Sequence, residues 1–300
     1  MEKRRLGKTD MDVSVLGFGG SEIGYENAAP ATVAELLQGA LEIGINVIDT
    51  AECYRGSEEM IGQTIGHRRD EFFLFTKCGH PHGGESAPNW SQPSILQSIE
   101  RSLERLKTDR VDVVHLHSCS ESELRKGEAI AALQTARERG YTRYIGYSGD
   151  SRAAHYAAEC DAFDTLQTSI NIADQESIDL VLPVAREKNL GVIAKRPIAN
   201  AAWKSGHKPI DSYQHEYWER LRKLNYDFIR HLDLDKSIST ALRFTLAVPG
   251  VHTAIVGTAK PERLSQNLKL LGDGPLASDD FEAIRQRWEE MAPRIWVGQT

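Results

Sequence analysis

Eight short, apolar, β-rich runs recur along this chain, each separated from the next by a longer stretch with helical periodicity. The runs are Val13 to Gly17, Ile45 to Asp49, Phe72 to Lys77, Val111 to His117, Arg143 to Ser148, Thr165 to Ile170, Gly191 to Lys195 and Thr253 to Gly257. Strands that alternate with helices form a parallel sheet, because each helix carries the chain back across the sheet to start the next strand in the same direction. Eight such strands match a closed barrel, whereas an open doubly wound sheet usually has fewer and carries a glycine fingerprint in its first turn. Gly17-Phe18-Gly19-Gly20 matches that fingerprint only in part, and the next helix is expected near Ala31, too far on to bring its N-terminus to a pyrophosphate. The prediction is therefore a (β/α)8 TIM barrel, and 300 residues suit such a barrel as a single domain.

Ile95, Ile99, Leu103 and Leu106 form one helical stripe, and Ile178, Val181, Leu182 and Ala185 another. Gly44, Gly140 and Gly191 each fall between a helical stretch and the following strand, where a left-handed helix cap is expected. One connection breaks the rhythm. About forty residues separate the seventh strand from a helix at Ser237 to Ala247, and connections of that length are usually functional. Within this long loop, Tyr213 to His231 is expected to be helical, with Tyr217, Leu221 and Leu224 packing inward. A last helix, Asp279 to Met291, is expected to cover one end of the barrel.

The net charge of −7 and the lack of any Lys/Arg cluster argue against nucleic-acid binding. The N-terminal segment lacks the apolar core of a signal peptide, and no apolar run reaches the roughly 18 residues of a membrane helix, so a cytoplasmic protein without a membrane partner is expected. The four cysteines, Cys53, Cys78, Cys119 and Cys160, are scattered and are expected to be reduced thiols.

Reactive groups of such barrels come from the C-terminal ends of the strands and the loops that follow. Asp49 ends the second strand, Lys77 the third, His117 the fourth and Ser148 the fifth, with Gln167 in the sixth and Tyr54 just past Asp49. Together these residues have a chemical logic. A tyrosine, with an ordinary pKa of about 10, needs help to act as an acid near neutrality. A lysine ammonium beside Tyr54 is expected to lower its pKa, Asp49 to hold Lys77 charged, and His117 to orient the oxygen of a small carbonyl substrate. No side chain supplies a hydride, so a nicotinamide cofactor is required. Ser148 and Gln167 offer the donors and acceptors its carboxamide needs. The eighth strand leads through Gly257-Thr258-Ala259-Lys260-Pro261 into a helix bearing Arg263, where backbone N–H groups, Lys260 and Arg263 suit a phosphate.

These residues resemble the aldo-keto reductases over nearly the whole chain. Arg5-Leu6-Gly7-Lys8-Thr9 with Val13 to Gly19 is similar to the family's opening segment. Asp49-Thr50-Ala51-Glu52-Cys53-Tyr54 followed by Gly56-Ser57-Glu58-Glu59-Met60-Ile61-Gly62 resembles its most specific motif. The resemblance implies a catalytic tetrad of Asp49, Tyr54, Lys77 and His117. It also implies cofactor contacts from Gly20, Asp49, Ser148, Gln167, Lys195, Arg196, Gly257, Thr258, Lys260, Arg263, Gln266 and Asn267. Arg263 falls where the family contacts the 2′-phosphate, which favours NADPH over NADH. Three departures stand out. Gly149 replaces an asparagine, so that one carboxamide contact is either missing or supplied by Asp150. Lys195 replaces the aromatic residue that stacks on the nicotinamide, leaving its alkyl stem to cover the ring and Arg196 to reach the pyrophosphate. Ile170 replaces a common tyrosine.

Three other readings compete with an NADPH-dependent reductase. A Schiff-base lyase would use Lys195 or Lys77. A metal-dependent hydrolase would use His115 and His117 with His80, His82 or Cys119, but no carboxylate or third histidine at another strand end completes that set, so no metal is expected. A cofactor-binding, redox-sensing regulatory protein would bind the nicotinamide without turnover. The natural substrate, the reaction direction and the oligomeric state are not written in the sequence.

Overall fold

The computed structural model describes residues 1–26, 28–80, 89–231 and 233–299. Two short strands, β1 (Lys3–Arg5) and β2 (Asp12–Ser14), form an antiparallel hairpin with Arg4 opposite Val13. Eight parallel strands then close into a barrel: β3 (Leu16–Gly19), β4 (Val47–Asp49), β5 (Phe73–Cys78), β6 (Val111–His117), β7 (Thr142–Ser148), β8 (Thr165–Ser169), β9 (Gly191–Lys195) and β10 (Thr253–Gly257), with β10 pairing back onto β3.

Leu6, Met11 and Val13 of the hairpin pack with Val47, Phe75, Val113, Ile193 and Ile255, so the hairpin closes the N-terminal end of the barrel with apolar side chains. The expected first strand, Val13 to Gly17, straddles this boundary. Its first two residues belong to the hairpin and only Leu16 and Gly17 to the barrel. No Gly or Pro punctuates Val13 to Leu16, so the two strands read as one apolar run. The hairpin turn needs glycine: Gly7 has φ +53, and a Cβ there would lie 2.3 Å from the Gly191 nitrogen.

A second, larger core lies between the barrel and its helices. Ile95, Ile99, Leu103 and Leu106 of the helix Gln92–Leu106 are buried in it, as their spacing predicts. Gly44 and Gly140 have φ +88 and +78, the left-handed geometry expected of them. Gly191 does not share that role. It begins β9, and Asn189, with φ 51, turns the chain in its place. Gly191 is instead a point of close packing, where a Cβ would stand 2.6 Å from Leu6 Cγ.

The first barrel strand is followed at once by a five-residue helix, Ser21–Tyr25, ahead of the expected one at Pro30–Glu42. The loop after β9 contains the helices His215–Leu224 and Asp227–His231 rather than one continuous helix, because Asn225 takes a left-handed conformation with φ 51. Tyr217, Leu221 and Leu224 are buried core residues. The next helix, Leu234–Ala247, starts three residues before the expected Ser237 because the Asp233 carboxylate caps it by accepting from Lys236 N at 2.9 Å. The last helix is Ser278–Met291. Beyond it the chain returns across the C-terminal end of the barrel, where Gly298 N donates to Glu176 Oε2 at 2.6 Å and Gln299 N to Asp174 Oδ2 at 3.1 Å.

Candidate active site

The parallel strands deliver their last residues to one mouth, and four polar side chains meet there in a chain of hydrogen bonds. Lys77 Nζ donates to Asp49 Oδ2 at 2.6 Å and to the Thr50 carbonyl at 2.8 Å. Gln167 Nε2 donates to Asp49 Oδ1 at 3.0 Å, and Ser148 Oγ donates to Gln167 Oε1 at 2.9 Å. All four residues are buried. Taking a lysine–carboxylate pair out of water costs several kcal/mol unless further hydrogen bonds satisfy both ions, and these bonds do so.

Tyr54 stands beside this chain, with Lys77 Nζ 5.1 Å from the centre of its ring. Its ring meets His117 edge-on at 5.9 Å and Tyr25 at 5.8 Å. His117 Nδ1 lies 3.5 Å from Cys53 Sγ, and the His80 ring packs edge-on against His117 at 5.3 Å and against Trp90 at 5.8 Å. Thus the structure gathers Asp49, Tyr54, Lys77 and His117 at one place and lines the approach with aromatic rings. His115, two residues before His117, faces the barrel interior instead, 3.1 Å from Thr165 Oγ1, where burial drives its pKa down to about 3. His82 lies outside the described residues. Among the described residues, no three His, Cys, Asp or Glu side chains gather as a metal-binding group.

The tyrosine does not have the depressed pKa expected for it. Burial pushes the Tyr54 phenol well above its ordinary value of 10, and the Asp49 carboxylate adds to the rise. The Lys77 charge is directed to Asp49 at 2.6 Å, which leaves burial to dominate at the phenol. Burial also raises the Asp49 carboxyl, against the pull of Lys77. Burial, followed by the Lys77 charge, holds His117 well below 6.5, so the imidazole is neutral.

The loop from Asp49 to Tyr54 is held from below. Gly20 N donates to the Asp49 carbonyl at 2.7 Å, and a Cβ on Gly20 would come within 2.6 Å of Ser57 Oγ. Glu52 is buried and accepts from Ser98 Oγ and from Arg101 Nε at 2.8 Å. Glu58, also buried, accepts from Thr76 Oγ1 at 2.7 Å. Glu52 fastens the loop, and Glu58 the helix Ser57–Ile65 that follows it, to neighbouring elements, a structural role the motif alone does not reveal.

A second polar cluster adjoins the first. Lys195 Nζ lies 2.7 Å from Asp150 Oδ2, while Asp150 Oδ1 accepts from Ser169 N at 2.7 Å and Thr168 Oγ1 at 2.9 Å. Asp150 is thus committed to Lys195 and β8 rather than filling in for an asparagine at position 149. Gly149 itself has a steric cause, since a Cβ there would sit 2.3 Å from the Tyr147 hydroxyl, which donates to the Cys119 carbonyl at 2.8 Å. Ile170 is fully buried in the core. Arg196, expected to reach a pyrophosphate, is turned elsewhere. Its Nε donates to the Tyr213 hydroxyl at 2.6 Å, and its Nη1 to Ser169 Oγ at 3.0 Å and to the Gln299 carbonyl.

Two features of this rim went unread in the sequence. Ala199, Asn200 and Ala201 have φ values of 46, 54 and 47, a left-handed turn without a glycine. Such strain is unusual for residues with a Cβ and clusters at ligand-binding sites. Asn200 Nδ2, in that turn, is buried without a protein partner. The other is Glu22, whose Oε2 would lie 1.7 Å from a Cβ on Gly257; glycine at the end of β10 makes room for this carboxyl, which burial pushes upward. The only hint in the sequence is the glycine itself. Past Gly257, Thr258 Oγ1 accepts from Lys260 N at 3.0 Å, and the helix Pro261–Lys269 begins, with Arg263 and Gln266 exposed and Asn267 partly so.

The architecture and this set of residues define an eight-stranded barrel with a tyrosine–lysine–aspartate–histidine cluster at its C-terminal mouth. A sequence profile of the aldo/keto reductase family matches residues 15–289, and the chain belongs to that family, an oxidoreductase family that works with nicotinamide cofactors. It is 30% identical to L-galactose dehydrogenase of Arabidopsis thaliana over 95% of this chain and 93% of that protein. It is also 27% identical to a probable voltage-gated potassium channel subunit beta of the same plant, over 95% of this chain and 97% of the other. Among solved structures, the holo form of aldo-keto reductase AKR11C1 from Bacillus halodurans superposes with a TM-score of 0.81 at 26% identity, covering 96% of each chain. No helix among the described residues is long and apolar enough to cross a membrane.

Proposed function

We propose that the chain is an NADPH-dependent reductase that converts an aldehyde or ketone to an alcohol, with Tyr54 as the proton donor. The observation that carries this reading is the buried chain Lys77–Asp49–Gln167–Ser148 with the Tyr54 and His117 rings beside it. When bound, the nicotinamide supplies the hydride that no side chain can.

The residues present suit that group. Ser148 and Gln167 pair directly in the β7–β8 register and offer their polar atoms to a carboxamide. Asn200 Nδ2 is a buried donor awaiting an acceptor, in a strained turn just past β9. Gly20 and Gly257 keep the backbone close at the ends of β3 and β10. Thr258, Lys260, Arg263, Gln266 and Asn267 would hold the adenosine end, with Arg263, exposed in the first turn of its helix, meeting a 2′-phosphate.

The substrate oxygen would lie between Tyr54 and His117. Tyr54, protonated because burial raises its pKa, donates its hydroxyl proton to that oxygen as hydride reaches the carbon. Lys77, over the ring, stabilises the phenolate that forms, and solvent then returns the proton. His117, neutral, donates an N–H to the same oxygen without competing for the proton. In sum, one carbonyl, one hydride and one proton give one alcohol.

The likeness to a potassium channel subunit keeps the redox-sensing alternative in view, and turnover separates the two. The natural setting that fits this reading is the cytoplasm, with a small carbonyl compound as partner and neither nucleic acid nor membrane. The test is NADPH oxidation followed by absorbance with nitrobenzaldehyde as substrate. Saturable turnover supports the reading; saturable NADPH binding with no turnover on a panel of aldehydes and ketones would favour the sensor.

A further inference from the structure

The Lys195–Asp150 pair is a buried ion pair that the proposed proton and hydride chemistry does not use. It sits at the mouth of the barrel. Lys195 ends β9 opposite Ser169 of β8, and Gln167 is opposite Ile193. The two partners are not equally placed, since the Lys195 side chain is 16% exposed and that of Asp150 0%. The lysine side chain therefore reaches the open side, with the carboxylate behind it, fixed by Ser169 N and Thr168 Oγ1. The Lys195 charge also acts on both Asp49 and His117, which places it within electrostatic reach of the tetrad.

We propose that Lys195, held in place by Asp150, makes this mouth select the reduced over the oxidised nicotinamide cofactor. The inference rests on the reading above, in which Ser148 and Gln167 hold the carboxamide. A nicotinamide ring is positively charged when oxidised and neutral when reduced. A fixed cation nearby therefore opposes the oxidised form and leaves the reduced form almost unaffected.

The diagonal from Gln167 to Lys195 spans about 8 Å, from a strand spacing of about 4.8 Å and a rise of about 3.3 Å per residue. Two unit charges separated by a distance of this order, about 8 Å, at an effective dielectric of about 20, would change a binding ratio by roughly thirtyfold. Asp150, of opposite sign and about 2.7 Å further back, cancels most of this, leaving about two- to threefold. Such a bias would hasten release of spent cofactor and favour reduction when reduced cofactor is abundant. It also accounts for a lysine in place of an aromatic ring: an aromatic face attracts the cationic oxidised ring, and a lysine repels it.

The experiment is direct titration of the purified full chain with NADPH and with NADP+, by calorimetry or tryptophan quenching, giving the ratio of the two Kd values. The variants are Lys195→Met, Asp150→Asn and the double Asp150→Asn/Lys195→Met, which removes the charge without stranding a buried carboxylate. The ratio Kd(NADP+)/Kd(NADPH) is expected to fall most in Lys195→Met, by up to about thirtyfold, where the remaining Asp150 carboxylate favours the oxidised ring, to fall about two- to threefold in the double variant, and to rise in Asp150→Asn. An unchanged ratio in the double variant, with both cofactors still binding, overturns the inference while sparing the proposed function. Failure of the wild type to bind either cofactor overturns the proposed function and, with it, this inference.

Discussion

Replacing Lys77 with Met strands the Asp49 carboxylate, which is 4% exposed and would keep only its bond from Gln167. It also removes the donor to the Thr50 carbonyl. Breaking a buried pair by deleting one partner costs about 3–5 kcal/mol, because the surviving charge has neither water nor a counter-ion. With an unfolding entropy of about 2.1 cal/mol/K per residue, 300 residues give about 0.6 kcal/mol/K, so the melting temperature should fall by roughly 5–8 °C. The loss should depend on pH with a definite sign. Burial already raises Asp49 above 3.8, and without Lys77 nothing comparable opposes it. The folded variant then retains a proton that the unfolded chain releases, so its stability falls as pH rises from about 4 through the raised folded pKa. The double variant Asp49→Asn/Lys77→Met leaves no stranded charge and should recover about 1–3 kcal/mol. Denaturant unfolding followed by tryptophan fluorescence, from pH 4 to 8, reads all of this. A single-variant loss below about 1 kcal/mol, or a double variant no more stable than the single, would refute the argument that the pair is locked.

Two further outcomes follow from the geometry. Arg263→Ala should weaken NADPH binding about tenfold and leave NADH nearly unchanged, as measured by fluorescence titration, since a charge-assisted contact to a 2′-phosphate is lost; an equal effect on both cofactors would move the phosphate site elsewhere. Gly149→Asn, which restores the family's residue, should destabilise the fold by about 1–3 kcal/mol, because its Cβ would meet the Tyr147 hydroxyl at 2.3 Å.

Much of this barrel can be read in the sequence because strand order and strand ends are local properties. Val111 to His117 and Gly191 to Lys195 are apolar runs whose ends coincide with the observed strands. The polar residues at or near the ends of these runs reach the mouth by the geometry of parallel strands alone, which is why Asp49, Lys77, Ser148 and, within its run, Gln167 could be chosen. What escaped depends on packing between distant segments. The hairpin that ends at Ser14 looked continuous with β3 because its apolar residues plug the barrel. Gly191 resembled a cap and is a contact point for Leu6. Arg196, expected at a pyrophosphate, is engaged by Tyr213 and by Gln299, 103 residues on. The rise in the Tyr54 pKa could not be foreseen, since burial outweighs the lysine beside it and burial is a property of the folded mouth. The left-handed turn at Ala199, Asn200 and Ala201 carries no glycine to announce it.

The central claim is that Tyr54 delivers the proton, and the most direct measurement is kcat for Tyr54→Phe beside its NADPH Kd. The hydroxyl is the only group removed, and the ring contacts with Tyr25 and His117 remain available. Loss of a general acid predicts a fall in kcat of about 10²–10⁴ with Kd changed less than about twofold. Turnover within a few-fold of wild type, or parallel losses in kcat and cofactor binding, would contradict it.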